Sequence, residues 1–144
     1  MNIDSFIKKS IHQLKEASYR ITKPRLYVLE ALASVSKPNS PQDILHLLVK
    51  QGLKVDLVSI YRVLELFHSL GIVHKDDESN GYFLCSHCEK CPNSMHIFLK
   101  CSDCSSIREL DFHGEVFSDS FKKKLTTLSS NTTREMLYLS LIHI

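Results

Sequence analysis

The sequence predicts an α+β chain with an N-terminal winged helix-turn-helix domain, residues 1–84, followed by a small α/β domain, residues 85–144. Three observations carry that reading. Four stretches with helical apolar spacing fill the first 70 residues, and two short β-type runs flank Asn80-Gly81. All five cysteines lie between Cys85 and Cys104. The charge is divided: residues 1–75 carry eleven Lys/Arg against six Asp/Glu, a net +5, and residues 76–144 carry seven against ten, a net −3.

Ile3, Phe6, Ile7, Ile11 and Leu14 recur at helical spacing and predict a first amphipathic helix. Thr22-Lys23-Pro24 announces a second, with Thr22 as the cap and Pro24 in the first turn, where a missing N–H costs nothing. It runs through Leu26, Leu29 and Leu32 until Ser36-Lys37-Pro38-Asn39 breaks it. Ser40-Pro41-Gln42-Asp43 repeats the cap-then-proline device with an acid in the first turn, and Gly52 ends that third helix.

A fourth helix is expected over roughly Leu57 to Leu70, with Ile60, Val63, Leu64, Phe67 and Leu70 as one apolar stripe and Gly71 as its stop. Ile72-Val73-His74 and Tyr82-Phe83-Leu84, joined through Asn80-Gly81, then read as a hairpin, the wing, with Asp76-Asp77-Glu78 at its solvated tip. Beyond it the pattern reads strand (Ile97–Lys100), CxxC turn, strand (Ile107–Leu110), helix (about Glu115–Leu128) and strand (Met136–Leu141).

Composition narrows the function. With 144 residues, 43% of them hydrophobic, the chain is an ordinary globular sequence. No apolar run of about 18 residues exists and no apolar segment follows the charges of residues 1–9, so neither a membrane span nor a secretory signal is expected. The expected compartment is the cytosol. An odd number of cysteines there argues for metal ligands rather than a disulfide framework.

On the fourth helix, Val58, Arg62, Glu65 and Ser69 face away from the apolar stripe, with Ser59 and Tyr61 on its flanks. The second helix of a helix-turn-helix pair enters the major groove of double-stranded DNA with its N-terminal residues at the base edges. Arg62 can reach a guanine edge or a phosphate, and Tyr61 a thymine methyl. Ser59 joins them, while Lys54, Arg20, Lys23 and Arg25 can hold backbone phosphates. Alone, a Tyr-Arg pair is an ordinary exposed helix pair. The preceding helices and the following hairpin give it a role.

At the other end, Cys88-Glu-Lys-Cys91 and Cys101-Ser-Asp-Cys104 each have the spacing that turns two thiolates toward one ion. Cys85 extends the first pair at the same interval, and His74, His87, His96, Glu109 and His113 lie around them. Mixed N, S and O donors suit reversible binding. Two other classes compete with a sensor. A zinc enzyme is disfavoured because no HxE or HExxH pattern supplies a base beside the ligands. A thiol redox protein is disfavoured because the second CxxC follows a strand rather than opening a helix.

These motifs together resemble the ferric uptake regulator family of metal-sensing repressors. The likeness rests on Arg20-Ile21-Thr22-Lys23-Pro24-Arg25-Leu26-Tyr27-Val28-Leu29, on Ser59-Ile60-Tyr61-Arg62-Val63-Leu64, on Leu70-Gly71-Ile72-Val73-His74 and on Cys101-x-x-Cys104. It implies a homodimer that binds AT-rich palindromic operators when loaded with metal, the second domain being the dimerisation domain. The wing, Val73-His74-Lys75 followed by Tyr82-Phe83-Leu84-Cys85, is similar to the zinc-uptake regulator branch. That similarity implies a regulatory Zn2+ on His74, Cys85, His96 and Glu109, with His87 or Cys91 as alternatives to His96.

The His/Asp cluster of iron sensors is reduced here to Met95-His96-Ile97-Phe98, which places Zn2+ ahead of Fe2+. An iron or peroxide sensor is the alternative within the family. The family's structural zinc pairs Cys101-x-x-Cys104 with a second CxxC near the C-terminus, which this sequence lacks. Either Cys88 and Cys91 replace that pair or the chain is truncated. Truncation is favoured, because Leu139-Ser140-Leu141-Ile142-His143-Ile144 reads as translated adapter sequence.

Overall fold

The computed structural model describes residues 3–85, 96–101, 103–110 and 135–140. The chain divides into two units, Met1–Cys91 and Pro92–Ile144. The first holds α1 (Ile3–Glu16), α2 (Lys23–Ala33), α3 (Pro41–Lys50), α4 (Leu57–Ser69), β1 (Val73–Asp76) and β2 (Gly81–Leu84). The second holds β3 (His96–Cys101), β4 (Ile107–Leu110) and β5 (Glu135–Ser140). The expected helix at about 115–128 lies outside the described residues.

Capping chemistry sets the helix starts. At α3 the Ser40 hydroxyl accepts the Asp43 N–H at 3.2 Å while the Asp43 carboxylate accepts the Ser40 N–H at 2.9 Å, a reciprocal capping box. Thr22 precedes α2 in extended conformation but makes no such side-chain bond. Pro41 is the first residue of α3 and Pro24 the second of α2, both within the first turn, where a missing N–H breaks no helical bond.

Three helices share one ending. The N–H of Ile72 reaches the Phe67 carbonyl at 2.9 Å and that of Gly71 reaches His68 at 3.1 Å, with Gly71 at φ 71°. Leu53 and Gly52 close α3 in the same way, with Gly52 at φ 76°. After α1 a serine, Ser18, takes the left-handed position at φ 61°, so no glycine marks that end in the sequence.

The core of the first unit is one cluster drawn from every one of these elements, including Phe6, Leu14, Leu29, Leu32, Ile44, Leu48, Ile60, Leu64, Phe67, Ile72 and Tyr82. Ile3, expected on the buried face of α1, is exposed.

β1 and β2 pair antiparallel with Val73 opposite Leu84 and Asp76 opposite Gly81. Four residues therefore connect the strands, rather than an Asn-Gly two-residue turn. Asn80 alone takes the positive φ, 52°. Gly81 serves closeness instead: a Cβ there would lie 2.7 Å from Pro38 Cβ and 3.0 Å from Asn39 N. At that contact Asn39 and Tyr82 form an antiparallel bridge, so the segment between α2 and α3 adds a third edge to the wing. Asp76, expected at the solvated tip, is buried and accepts a bond from the Ser79 hydroxyl, while Asp77 and Glu78 are exposed.

In the second unit β3 lies between β4 and β5, antiparallel to both. Phe98 and Lys100, two residues apart on β3, are both buried, as strand alternation requires for one covered face.

Candidate nucleic-acid interface and metal centre

α4 begins at Asp56, whose carboxylate accepts the Ser59 N–H at 2.9 Å and the Ser59 hydroxyl proton. The Ser59 hydroxyl and then its N–H hold the Asp56 carboxyl below the ordinary aspartate range. Ser59 has thus given both of its hydrogens to the cap and can meet another group only as an acceptor. Tyr61 and Arg62 stand free of the core, Tyr61 being 40% exposed. They share that face with Val58 and Glu65.

Arg20, Lys23 and Lys54 are exposed. Arg25 is half-buried, with its guanidinium 5.4 Å from the centre of the Tyr19 ring and one N–H donated to the Arg20 carbonyl. That arrangement ties the α1–α2 turn to the start of α2. Arg25 therefore shapes the segment that displays Arg20, a role its charge alone did not announce.

His74 and Cys85 come together on the wing. His74 lies opposite Phe83, with ring centroids 5.6 Å apart. Cys85 follows β2 and donates its N–H to the Ile72 carbonyl at 3.0 Å. Alternation along the strands puts His74, Phe83 and Cys85 on one face, with His74 and Cys85 as diagonal neighbours. Both are buried, 2% and 1% exposed, and a ring nitrogen of His74 lies within 4.8 Å of Cys85 Sγ. One tetrahedral zinc would hold such an N and S about 3.5 Å apart, so the pair fits that ion. Ile72 also links this pair to α4, because its N–H bonds to the Phe67 carbonyl while its carbonyl receives Cys85.

In the second unit Glu109 is half-buried on β4 opposite Phe98, and His96 opens β3. The Cys101–Cys104 turn is closed by Cys101 N–H to the Ser106 carbonyl and Ser105 N–H to the Cys101 carbonyl, both 2.9 Å, with Ser105 at φ 58°. Cys104 Sγ lies 3.1 Å from the Ser106 hydroxyl. That hydroxyl, then the Ser106 backbone and the Cys101 thiol, lower the Cys104 thiol from its ordinary value. The two thiols sit side by side in a closed turn and neither is in a disulfide, the arrangement in which a CxxC turn can offer two thiolates to one ion. His87, Cys88, Cys91 and His113 lie outside the described residues.

Sequence reasoning missed the Asp56 cap, although Asp56-x-x-Ser59 at a helix start is a readable signal. It also missed the stacking of Arg25 on Tyr19, which nothing local announces.

Among curated proteins, the ferric uptake regulation protein of Vibrio vulnificus is 29% identical over 127 residues, covering 88% of this chain and 82% of its own length. Among solved structures, a zinc uptake regulator complexed with zinc and DNA aligns at TM-score 0.68 and 21% identity, covering 100% of this chain and 88% of that one. The Vibrio cholerae ferric uptake regulator aligns at TM-score 0.52 and 25% identity, covering 82% and 84%. These likenesses establish the fold as an α+β winged helix-turn-helix domain with a dimerisation-type domain after it. The model of the ferric uptake regulator family matches residues 16–133. The chain belongs to that family and is a metal-responsive transcriptional regulator rather than an enzyme.

Proposed function

We propose that this regulator is a zinc-dependent repressor of the cytosol that binds AT-rich palindromic operators as a homodimer. The observation that carries the reading is the buried His74–Cys85 pair on the wing of a domain whose α4 exposes Tyr61 and Arg62. An imidazole and a thiolate suit zinc better than the oxygen-rich sets of harder ions. His96 and Glu109 complete the regulatory site, with His87 or Cys91 as alternatives to His96. Cys101 and Cys104 form one half of a structural zinc site, and Cys88 and Cys91 are candidates for the other half.

Bound zinc would supply a charge-neutralising crosslink among these side chains. The chain's own residues do the rest. Tyr61 and Arg62 read base edges, Ser59 accepts at the groove rim, and Arg20, Lys23 and Lys54 hold phosphates while Arg25 fixes the turn that carries Arg20. A preference of about 3–4 kcal/mol for the competent geometry would raise operator affinity some hundreds-fold.

The test is fluorescence anisotropy of an AT-rich palindromic duplex with chelator-treated protein, in buffered Zn2+ and, separately, in buffered Fe2+. Binding that needs zinc, and its loss in Cys85→Ser, supports the reading. Zinc-dependent binding unchanged in Cys85→Ser removes Cys85 from the site. Binding driven by Fe2+ alone selects the second reading, an iron-sensing repressor, which the ferric uptake names of the curated relatives favour.

A further inference from the structure

We propose that Val58 is a base-reading residue that packs against the C5-methyl group of a thymine in the major groove. This rests on the reading above that α4 enters that groove. Val58 is 59% exposed although it is apolar and β-branched. It is the second residue of α4, in the first turn. It adds little to the core, and an exposed β-branched residue is a weaker helix former than alanine.

Its neighbours give it a surrounding. At about 100° per residue, Val58 and Arg62 lie about 40° apart on the helix wheel, with Tyr61 about 60° to the other side. All three are exposed, and Lys54 is exposed just ahead of the helix. An apolar patch on the leading turn with cations before and after it is complementary to a groove floor that offers a methyl group between two phosphate rails. Asp56, the acid beside it, has its carboxylate engaged by Ser59. Arg62 alone would favour guanine. Val58 adds a preference for A·T pairs that does not depend on hydrogen bonding.

The experiment uses the zinc-loaded full chain and the tightest duplex it selects from a random 20-base-pair library. Each thymine of one half-site is replaced in turn by deoxyuridine, which removes only the methyl group, and binding is measured for the wild type and for Val58→Ala. At one thymine the wild type should lose about fourfold, the equivalent of one methyl burial at ~0.8 kcal/mol, and Val58→Ala, which keeps only its Cβ, should lose clearly less there while remaining equally sensitive elsewhere. Identical deoxyuridine profiles for both proteins, with binding otherwise intact, overturn the role of Val58 and leave α4 in the groove. Failure of the wild type to enrich any duplex overturns both. Because Val58 is exposed, the variant should melt with the wild type, and matching circular dichroism melts confirm that the comparison is between folded proteins.

Discussion

Asn39 and Tyr82 exchange both of their backbone hydrogen bonds, at 2.9 and 2.8 Å. The pair fixes the wing to the segment that leads into α3, so hairpin and helices hold together through main chain as well as through the core. The bridge has no room for a side chain on the residue before Tyr82, where Gly81 packs on Pro38.

Replacing Gly81 with alanine should therefore part the two backbones. The nearest atoms belong to a proline ring and to main chain, which cannot swing aside. Urea denaturation should show a loss of about 2 kcal/mol, in the range for overpacking a tight site. An unchanged midpoint would mean that the bridge is not part of the folded wing.

Ser10→Ala should go the other way. Ser10 is fully buried on α1 and its hydroxyl has no hydrogen-bond partner among the described residues. Removing it leaves no donor unsatisfied and places the best helix former in the helix, for a gain of about 1 kcal/mol. Thermal unfolding checks the sign, and a lower melting temperature would point to a partner for the hydroxyl.

Asp43 predicts an acid-side loss. The Ser40 hydroxyl and then the Ser40 N–H hold its carboxyl below the ordinary aspartate value. A depressed folded value means stabilisation that is fully present above the ordinary value of about 3.9 and is lost as pH falls through the lower folded value. Between pH 5 and pH 2 the wild type should therefore lose more stability than Asp43→Asn, which has no proton to take up. Parallel denaturation curves across that range would exclude the capping carboxylate as a cause.

For operator binding, Arg62→Ala and Lys54→Ala should differ in kind. Arg62→Ala should cost about 1–3 kcal/mol and relax the preference at one base pair. Lys54→Ala should weaken every duplex alike and lower the salt slope by about 1. Anisotropy on matched and mismatched duplexes at several salt concentrations separates these, and equal behaviour of the two variants would refute the division into reader and clamp.

What the sequence reveals divides by range of interaction. The capping box at Ser40 and Asp43 and the glycines after α3 and α4 are decided within a few residues, and the helix limits there follow from them. The strands at 96–101, 107–110 and 135–140 fall within a residue of the pattern that predicts them. The Asn39–Tyr82 bridge, the burial of Asp76 and the true length of the wing turn depend on partners far away in sequence or on register, and alternation alone does not supply them. The same limit applies to the site. Histidine and cysteine content points to metal, but the convergence of His74 with Cys85 needs the β1–β2 register, and the commitment of Arg25 to Tyr19 needs the fold.

Ile72 has a mechanical consequence. Its N–H ends on the last turn of α4 and its carbonyl receives Cys85, so a single buried residue couples the thiol to the helix that bears Tyr61 and Arg62. Two main-chain hydrogen bonds, rather than a slack loop, thus separate Cys85 from that helix. Wing and helix belong to one rigid piece, because both are also anchored in the same core cluster, so whatever reorients Cys85 carries the whole reading head with it.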